Sequence, residues 1–318
     1  NTGWNGQGKR MSLKNTRLII DAILNDELDD VETQNIPIFN LQVPLKVNQI
    51  SPELLDPRST WNTSDEWEKN ARELAELFIK DHKWAGGVKF ARCGGESMSI
   101  AIRLARAFTK KDNILFCGYH GWHDWYLAAN HKSRGNLDFQ LLPGLKPLGV
   151  PKGLKGTVIP FRFNNWEDFE KIIKKNIKNA AAIVIEPCRE GFPEKKYLLA
   201  LKEIAKKNKA VLVFDEITSG YRLNSSGAHK LTKVDPDMVI YGKTIANGIP
   251  MAAIVGKKNI MDYALKTFVS SVFWTEKVGP ASALAFIKKH KRLDVGKKLT
   301  IIGKRIKKIW KNAANANN

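Results

Sequence analysis

Asp215 and Lys243 are the residues in this chain whose types and positions best suit covalent chemistry on an amine. Asp215 sits at the end of the apolar run "AVLVFDE" (210–216), and Lys243 closes "DMVIYGK" (237–243), 28 residues further on. A third run, "AAIVIEP" (181–187), puts Glu186 at the corresponding place. A lysine amine can form a Schiff base with an aldehyde. A carboxylate beside an aromatic ring nitrogen keeps that nitrogen protonated, so the ring can accept electrons from a carbanion. This is the combination that pyridoxal phosphate requires, with Lys243 as its lysine and Asp215 as the partner of its ring nitrogen.

Two further stretches supply pieces of the same chemistry. In "CGGES", Cys93 to Ser97, the glycines Gly94 and Gly95 let backbone N–H groups approach an anion at a helix start, where the helix dipole favours a phosphate. In "FCGYHGWHDW" (116–125), Tyr119 and His120 lie in a glycine-bounded loop, and an aromatic ring there can stack on a pyridine face. Taken singly, a glycine pair reads as a turn and the aromatic stretch as a core cluster. His123 beside Asp124 suggests a metal pair, but further ligands at useful spacing are missing, so no metal is assigned. Cys93, Cys117 and Cys188 have no metal-type spacing and are odd in number, which argues against a zinc site or a disulfide framework.

The elements that must hold these residues can be read from the patterning. From Val88 onward, short Val- and Ile-rich runs alternate with helical stretches such as "SIAIRLARAF" and "YLLALKEIAKKN". Such alternation predicts a parallel sheet buried on both faces, with ligands at the carboxyl ends of its strands. Glu186, Asp215 and Lys243 fall at those ends.

The chain opens differently. "GWNGQGK" (Gly3 to Lys9) nearly matches a phosphate loop but has Arg10 where a Mg²⁺-binding hydroxyl is needed, and no apolar strand precedes it. It reads as a glycine-rich turn before the helix "TRLIIDAIL". The net charge of +20 raises a nucleic-acid reading, which its distribution counters. Residues 287–311 hold eleven Lys or Arg and one Asp, a net +10, while Val295, Leu299, Ile302, Ile306 and Ile309 recur at helical spacing. That is an amphipathic helix with a solvated basic face, and the lone Trp310 near its end is not a series of interleaved aromatic residues to stack bases. No run approaches eighteen apolar residues, so the expectation is a cytoplasmic protein with no membrane partner.

The motifs "FARCGGESMSIAIRLARAF", "CGYHGWHDWYLAAN", "VIEP", "FDEITSGYR", "YGKTIANGIPMAAIVG" and "SSVFWTEKVGPASALA" resemble, in this order, the class III pyridoxal phosphate aminotransferases, closest in style to the glutamate-1-semialdehyde aminomutase-like branch. The resemblance covers about residues 86–311. It implies an α/β fold, the doubly wound, mainly parallel sheet of the fold-type I large domain. It also implies that Lys243 is the Schiff-base lysine and proton shuttle, and that Asp215 partners the pyridine nitrogen. Tyr119 would stack on the ring with His120 beside it, and Ile217 would pack the opposite face. The backbone of Gly94 and Gly95 would hold the phosphate, with Thr275 reaching it across a homodimer interface. Three positions depart from the family pattern: Gly95 stands for a usual Thr or Ser, Ser97 for a common Ala, and Val272 for a frequent Thr.

The blocks "NTGWNGQGKRMSLKNTRLIIDAIL", "IPIFNLQVP" and "LLDPRSTW" resemble the C-terminal part of ATP-dependent phosphoenolpyruvate carboxykinase through about residue 80. That resemblance implies nucleotide contacts from Arg10, the backbone near Met11, and Thr16. Gln7 and Asn15 depart from the family's Thr and Asp, and its phosphate loop and metal ligands would lie upstream. The expected organisation is a small α+β carboxykinase-like segment (1–82), a pyridoxal phosphate-binding large domain (83–286) and the start of a C-terminal region (287–318). Such a chain looks like a fusion or a fragment, with 1–82 sharing few apolar contacts with the rest of the chain. The expected function is a pyridoxal phosphate-dependent aminotransferase or aminomutase that exchanges a small amino donor and acceptor. The alternatives are a carboxykinase-derived nucleotide-binding fragment and a non-catalytic basic binding protein.

Overall fold

The computed structural model describes residues 11–36, 41–56, 64–189, 191–270 and 278–316. The chain forms two compact units, one of residues 1–74 with 272–281, the other of residues 75–271 with 282–318.

In the first unit, helix α1 (Leu13–Leu24) starts where Ser12 accepts a hydrogen bond from the Asn15 N–H at 3.1 Å, satisfying one of the open donors of its first turn. Strands β1 (Thr33–Ile36) and β2 (Leu41–Pro44) pair antiparallel, Thr33 opposite Pro44. The short helix α2 (Pro52–Leu55) begins on a proline, whose missing N–H costs nothing at that position. Ala22, Val47 and Ile50 form a small core joined by Leu18, Ile19 and Leu54. Gln34 Nε2 donates to Asp56 Oδ2 at 3.0 Å. This is the α+β segment expected at the N-terminus.

Helix α3 (Ser64–Asp81) enters the second unit at Ala75. Strand β3 (Gly87–Ala91) comes after it, then α4 (Gly94–Thr109), β4 (Asn113–Cys117), the short helix α5 (Asp124–Leu127) and β5 (Val158–Pro160). Next come α6 (Trp166–Asp168), α7 (Lys174–Asn176), β6 (Ala180–Ile185), α8 (Lys195–Lys207), β7 (Val211–Asp215), α9 (His229–Thr232) and β8 (Met238–Tyr241). Strand β9 (Ala252–Gly256) and helices α10 (Lys258–Met261), α11 (Val278–Leu293) and α12 (Val295–Ala316) complete the chain.

The sheet order is β3-β9-β8-β7-β6-β4-β5. From β8 to β5 every pairing is parallel, and every residue of β6, β7 and β8 is buried, as a sheet covered on both faces requires. Met98, Ile102 and Leu104 of α4 join a core with Val184, Val213, Ile240 and Ile254. Helix α8 lies along β6 and β7 with Tyr197, Leu198, Leu201 and Ala205 buried. Strand β9 runs antiparallel to both β8 and β3. Only residues 242–251 separate β8 from β9, too few for the crossover a parallel neighbour needs, so the chain turns back.

The basic 287–311 stretch is two helices rather than one, broken at Asp294, whose φ of +46° leaves the helical region. On α12 the apolar positions Leu299, Ile302, Ile306 and Ile309 are exposed. Among the described residues no helix is long and apolar enough to cross a membrane.

Candidate active site

Because β4, β6, β7 and β8 are parallel and β3 runs with them, the segments after all five strands emerge at one edge of the sheet. Those segments carry Gly94 and Gly95, Tyr119 and His120, Glu186, Ile217, and Lys243, and Asp215 ends β7 there.

Asp215 is 3% exposed, and both of its carboxylate oxygens are engaged. Oδ2 lies 2.8 Å from Nδ1 of His120, and Oδ1 accepts the Ile217 N–H at 3.0 Å. Nε2 of His120 faces the carbonyl oxygen of Cys117 at 3.1 Å, so both ring nitrogens look onto acceptors. The ring is buried and stacks on Trp125 at 6.3 Å between centroids. The carboxylate is therefore fixed in direction by β4 on one side and by its own strand end on the other.

Ile217 ties this centre to two backbone turns. A Cβ placed on Gly94 would lie 2.9 Å from Ile217 Cδ1, and one on Gly242 would lie 3.1 Å from its Cγ2. The isoleucine thus fills the space between the start of α4 and the turn that carries Lys243. Lys243 itself is exposed, has a φ of +47°, and donates from Nζ to Thr218 Oγ1 at 2.8 Å. A non-glycine residue in the left-handed region is a strained arrangement of the kind that collects at functional sites.

The Tyr119–His120 loop is braced by residues whose part in the site had no pattern in the sequence. Glu186, recognised there only as a strand end, accepts the Tyr119 N–H at 2.8 Å through Oε2, and the same oxygen accepts Arg189 Nη1 at 2.7 Å. Burial works against the charge of the Arg189 guanidinium, but its hydrogen bond and charge pairing with Glu186 prevail and raise it. Gln140 accepts the Gly118 N–H at 2.6 Å and donates to the Phe161 carbonyl at 2.9 Å. The Tyr126 hydroxyl donates to the Gly118 carbonyl at 2.9 Å, and burial pushes that phenol up. Gln140 and Tyr126 stand 22 and 8 residues from Gly118, with no periodic signal linking them to it.

At the start of α4 the capping residue Cys93 makes no side-chain hydrogen bond to the first turn. The helix N–H groups that such a cap would take are of the kind that suits an anion. Of the remaining expected contacts, Arg10 and Thr275 lie outside the described residues. Met11 precedes α1, and Thr16 is buried with its hydroxyl donating to the Ser12 carbonyl at 3.0 Å. Among the described residues no group of three or more His, Cys, Asp or Glu is arranged to hold a metal ion, and Cys93, Cys117 and Cys188 are not joined in disulfides.

The sequence model of the phosphoenolpyruvate carboxykinase family matches residues 1–53, and that of aminotransferase class-III matches residues 58–317. The changeover falls between 53 and 58, upstream of the 82–83 boundary read from the sequence. Glutamate-1-semialdehyde 2,1-aminomutase of Nitrosopumilus maritimus is 35% identical over 230 residues, covering 70% of this chain and 53% of that protein. 3-Aminobutyryl-CoA aminotransferase of Cloacimonas acidaminovorans is 34% identical over 203 residues, covering 62% of this chain and 45% of that protein. The chain thus spans about half the length of the curated relatives it matches. A solved transaminase with PLP bound superposes with a TM-score of 0.60 at 25% identity, covering 69% of this chain and 53% of that one. With more than three quarters of its residues inside the aminotransferase match, the chain belongs to the class-III aminotransferase family.

Proposed function

We propose that residues 75–271 carry the cofactor centre of a pyridoxal phosphate-dependent aminotransferase or aminomutase. The observation that supports this most is the placing of a buried, doubly hydrogen-bonded Asp215 and an exposed Lys243 amine on adjacent strand ends. The residues present fit the group. The turn at Gly94 has no room for a side chain beside Ile217, and the uncapped start of α4 suits a phosphate.

When bound, pyridoxal phosphate supplies an aldehyde for amine exchange and a ring that draws off the electron pair left by a departing substrate proton. The chain's own residues do the rest. Asp215 presents a carboxylate held by His120 and Ile217, which would keep a proton on a ring nitrogen beside it. Lys243 Nζ, which donates to the neutral Thr218 hydroxyl, would be the amine that binds the aldehyde and, once displaced, would move a proton. Ile217 would pack one face of the ring and Tyr119 the other. Gly94 and Gly95 would hold the phosphate through backbone N–H groups.

In the whole protein the partners are a small amino donor and acceptor, and a second copy of the chain that brings Thr275 to the phosphate. The cytoplasm is the compartment this reading expects. The test is to incubate the chain with pyridoxal phosphate, reduce with borohydride and map the labelled peptides. Label on Lys243, lost in Lys243→Ala, is the expected result. Label spread over other lysines, or none at all, overturns the proposal.

A further inference from the structure

The start of α4 carries Gly95, which has no side chain to offer an anion, and the space beside it is occupied. A Cβ built on Gly95 would lie 2.9 Å from Nε2 of His123 and 3.0 Å from its Cδ2. The histidine therefore stands where a side chain at position 95 would begin, and its Nε2 lies within reach of where a hydroxyl there would sit. The imidazole is set in this place from both sides. Its Nδ1 lies 2.8 Å from Ser99 Oγ, and Ser99 is one helical turn beyond Gly95 on the same face of α4. The loop that bears it closes tightly on the helix, since a Cβ on Gly121 would lie 3.0 Å from the Gly95 Cα. Nδ1 has its partner, and Nε2 is the nitrogen turned toward the helix start.

We infer that His123 is a phosphate-binding residue of this site, supplying from Nε2 the side-chain hydrogen bond that position 95 cannot make. The inference rests on the cofactor reading above and deepens it. With the Ser99 hydroxyl donating to Nδ1, the ring hydrogen sits on Nε2, and an anion at the start of α4 selects that tautomer. The loss of a side chain at 95 and the arrival of an imidazole from the next loop are then one exchange. A side chain at 95 would meet the ring at 123, so one of the two must shift to admit the other.

The experiment titrates the intact chain with pyridoxal phosphate and with pyridoxal, which has the same aldehyde and ring without the phosphate. Uptake is read by absorbance and by borohydride label at Lys243. His123→Ala is expected to weaken pyridoxal phosphate binding by tenfold or more, the size of a lost charge-assisted hydrogen bond, roughly. Pyridoxal binding stays within about twofold, because neither lost atom meets its ring. In the double variant Gly95→Ser with His123→Ala, the hydroxyl has room and restores much of the phosphate preference. Gly95→Ser alone, crowded by the ring, lowers it. The phosphorus resonance of the bound cofactor shifts in His123→Ala and not in a remote control such as Lys202→Ala. Equal weakening of both ligands, or unchanged pyridoxal phosphate binding in His123→Ala, overturns the assignment while leaving the cofactor centre standing. A wild-type chain that takes up neither ligand at Lys243 overturns both.

Discussion

The phenol of Tyr241 lies 2.7 Å from Nε2 of His82, joining the end of β8 to the residue just past α3. The other ring nitrogen, Nδ1, lies 2.7 Å from the Phe78 carbonyl, which can only accept. The proton therefore sits on Nδ1, and Nε2 accepts from the Tyr241 hydroxyl. Phe78 is fully buried and stacks on the Tyr241 ring at 5.8 Å and 17°. Tyr241 is two residues from Lys243, so the end of α3 is built into the strand that delivers the amine. The expectation that residues 1–82 share few apolar contacts with the sheet therefore fails at its last turn.

His82 makes stability depend on pH. Burial, ahead of a hydrogen bond to Phe78 that works the other way, lowers it from the ordinary 6.5 to about 3. The unfolded chain binds this proton at higher pH than the folded one does. The contribution is complete above pH 6.5 and falls away as the pH drops toward 3, by roughly 1 kcal/mol per pH unit. Urea midpoints at pH 7, 6 and 5 should fall more steeply for the wild type than for His82→Gln. Parallel slopes would remove His82 from the account.

The two compact units should respond separately to core substitutions. Phe78→Ala empties a stacked, fully buried site in the larger unit and should cost about 3–5 kcal/mol there. Ile50→Ala acts on the small core of Val47 and Ala22 and should leave the larger unit's transition in place. Calorimetry resolves the two outcomes. A shift of the main transition by Ile50→Ala would show that the units fold as one.

The sequence showed the strands that end at Glu186, Asp215 and Lys243 because a buried parallel strand is a local run of Val and Ile bounded by a turn. It also placed Gly94 and Gly95 at a helix start. What stayed hidden was set by contacts between residues far apart in the chain. Tyr241 and His82 are 159 positions apart, and Glu186 and the Tyr119 amide 67. His123 looked like half of a metal pair because its neighbour in sequence is Asp124. Its neighbours in space are Gly95 and Ser99. The reversal at β9 was hidden too, since it depends on the length of a connection rather than on the strand's own pattern.

Gly118 should be the least replaceable glycine of the loop. Its φ is +115°, and a Cβ there would stand 2.6 Å from Glu186 Oε2, the oxygen that holds the Tyr119 amide. Gly118→Ala combines backbone strain with displacement of that carboxylate, a cost on the order of 2–4 kcal/mol. Its cofactor label at Lys243 should fall together with its urea midpoint. A variant with wild-type stability and labelling would mean that the Glu186 bridge is dispensable.

Asp215 allows fold and chemistry to be separated. Asp215→Ala leaves two buried partners, His120 Nδ1 and the Ile217 N–H, without an acceptor, and each such loss costs about 1–3 kcal/mol. Asp215→Asn can keep both contacts. Its carbonyl accepts from Ile217, and its amide donates to His120 Nδ1 once the ring hydrogen has moved to Nε2, where the Cys117 carbonyl accepts it. The asparagine variant should therefore unfold within about 1 kcal/mol of wild type while lacking the negative charge proposed to keep a ring nitrogen protonated. Cofactor bound to it should show an altered absorbance and a slower loss of the substrate proton, read by deuterium exchange. If Asp215→Asn proves as unstable as Asp215→Ala, the charge is needed for folding. If its absorbance and exchange match wild type, Asp215 is not the partner of the ring nitrogen.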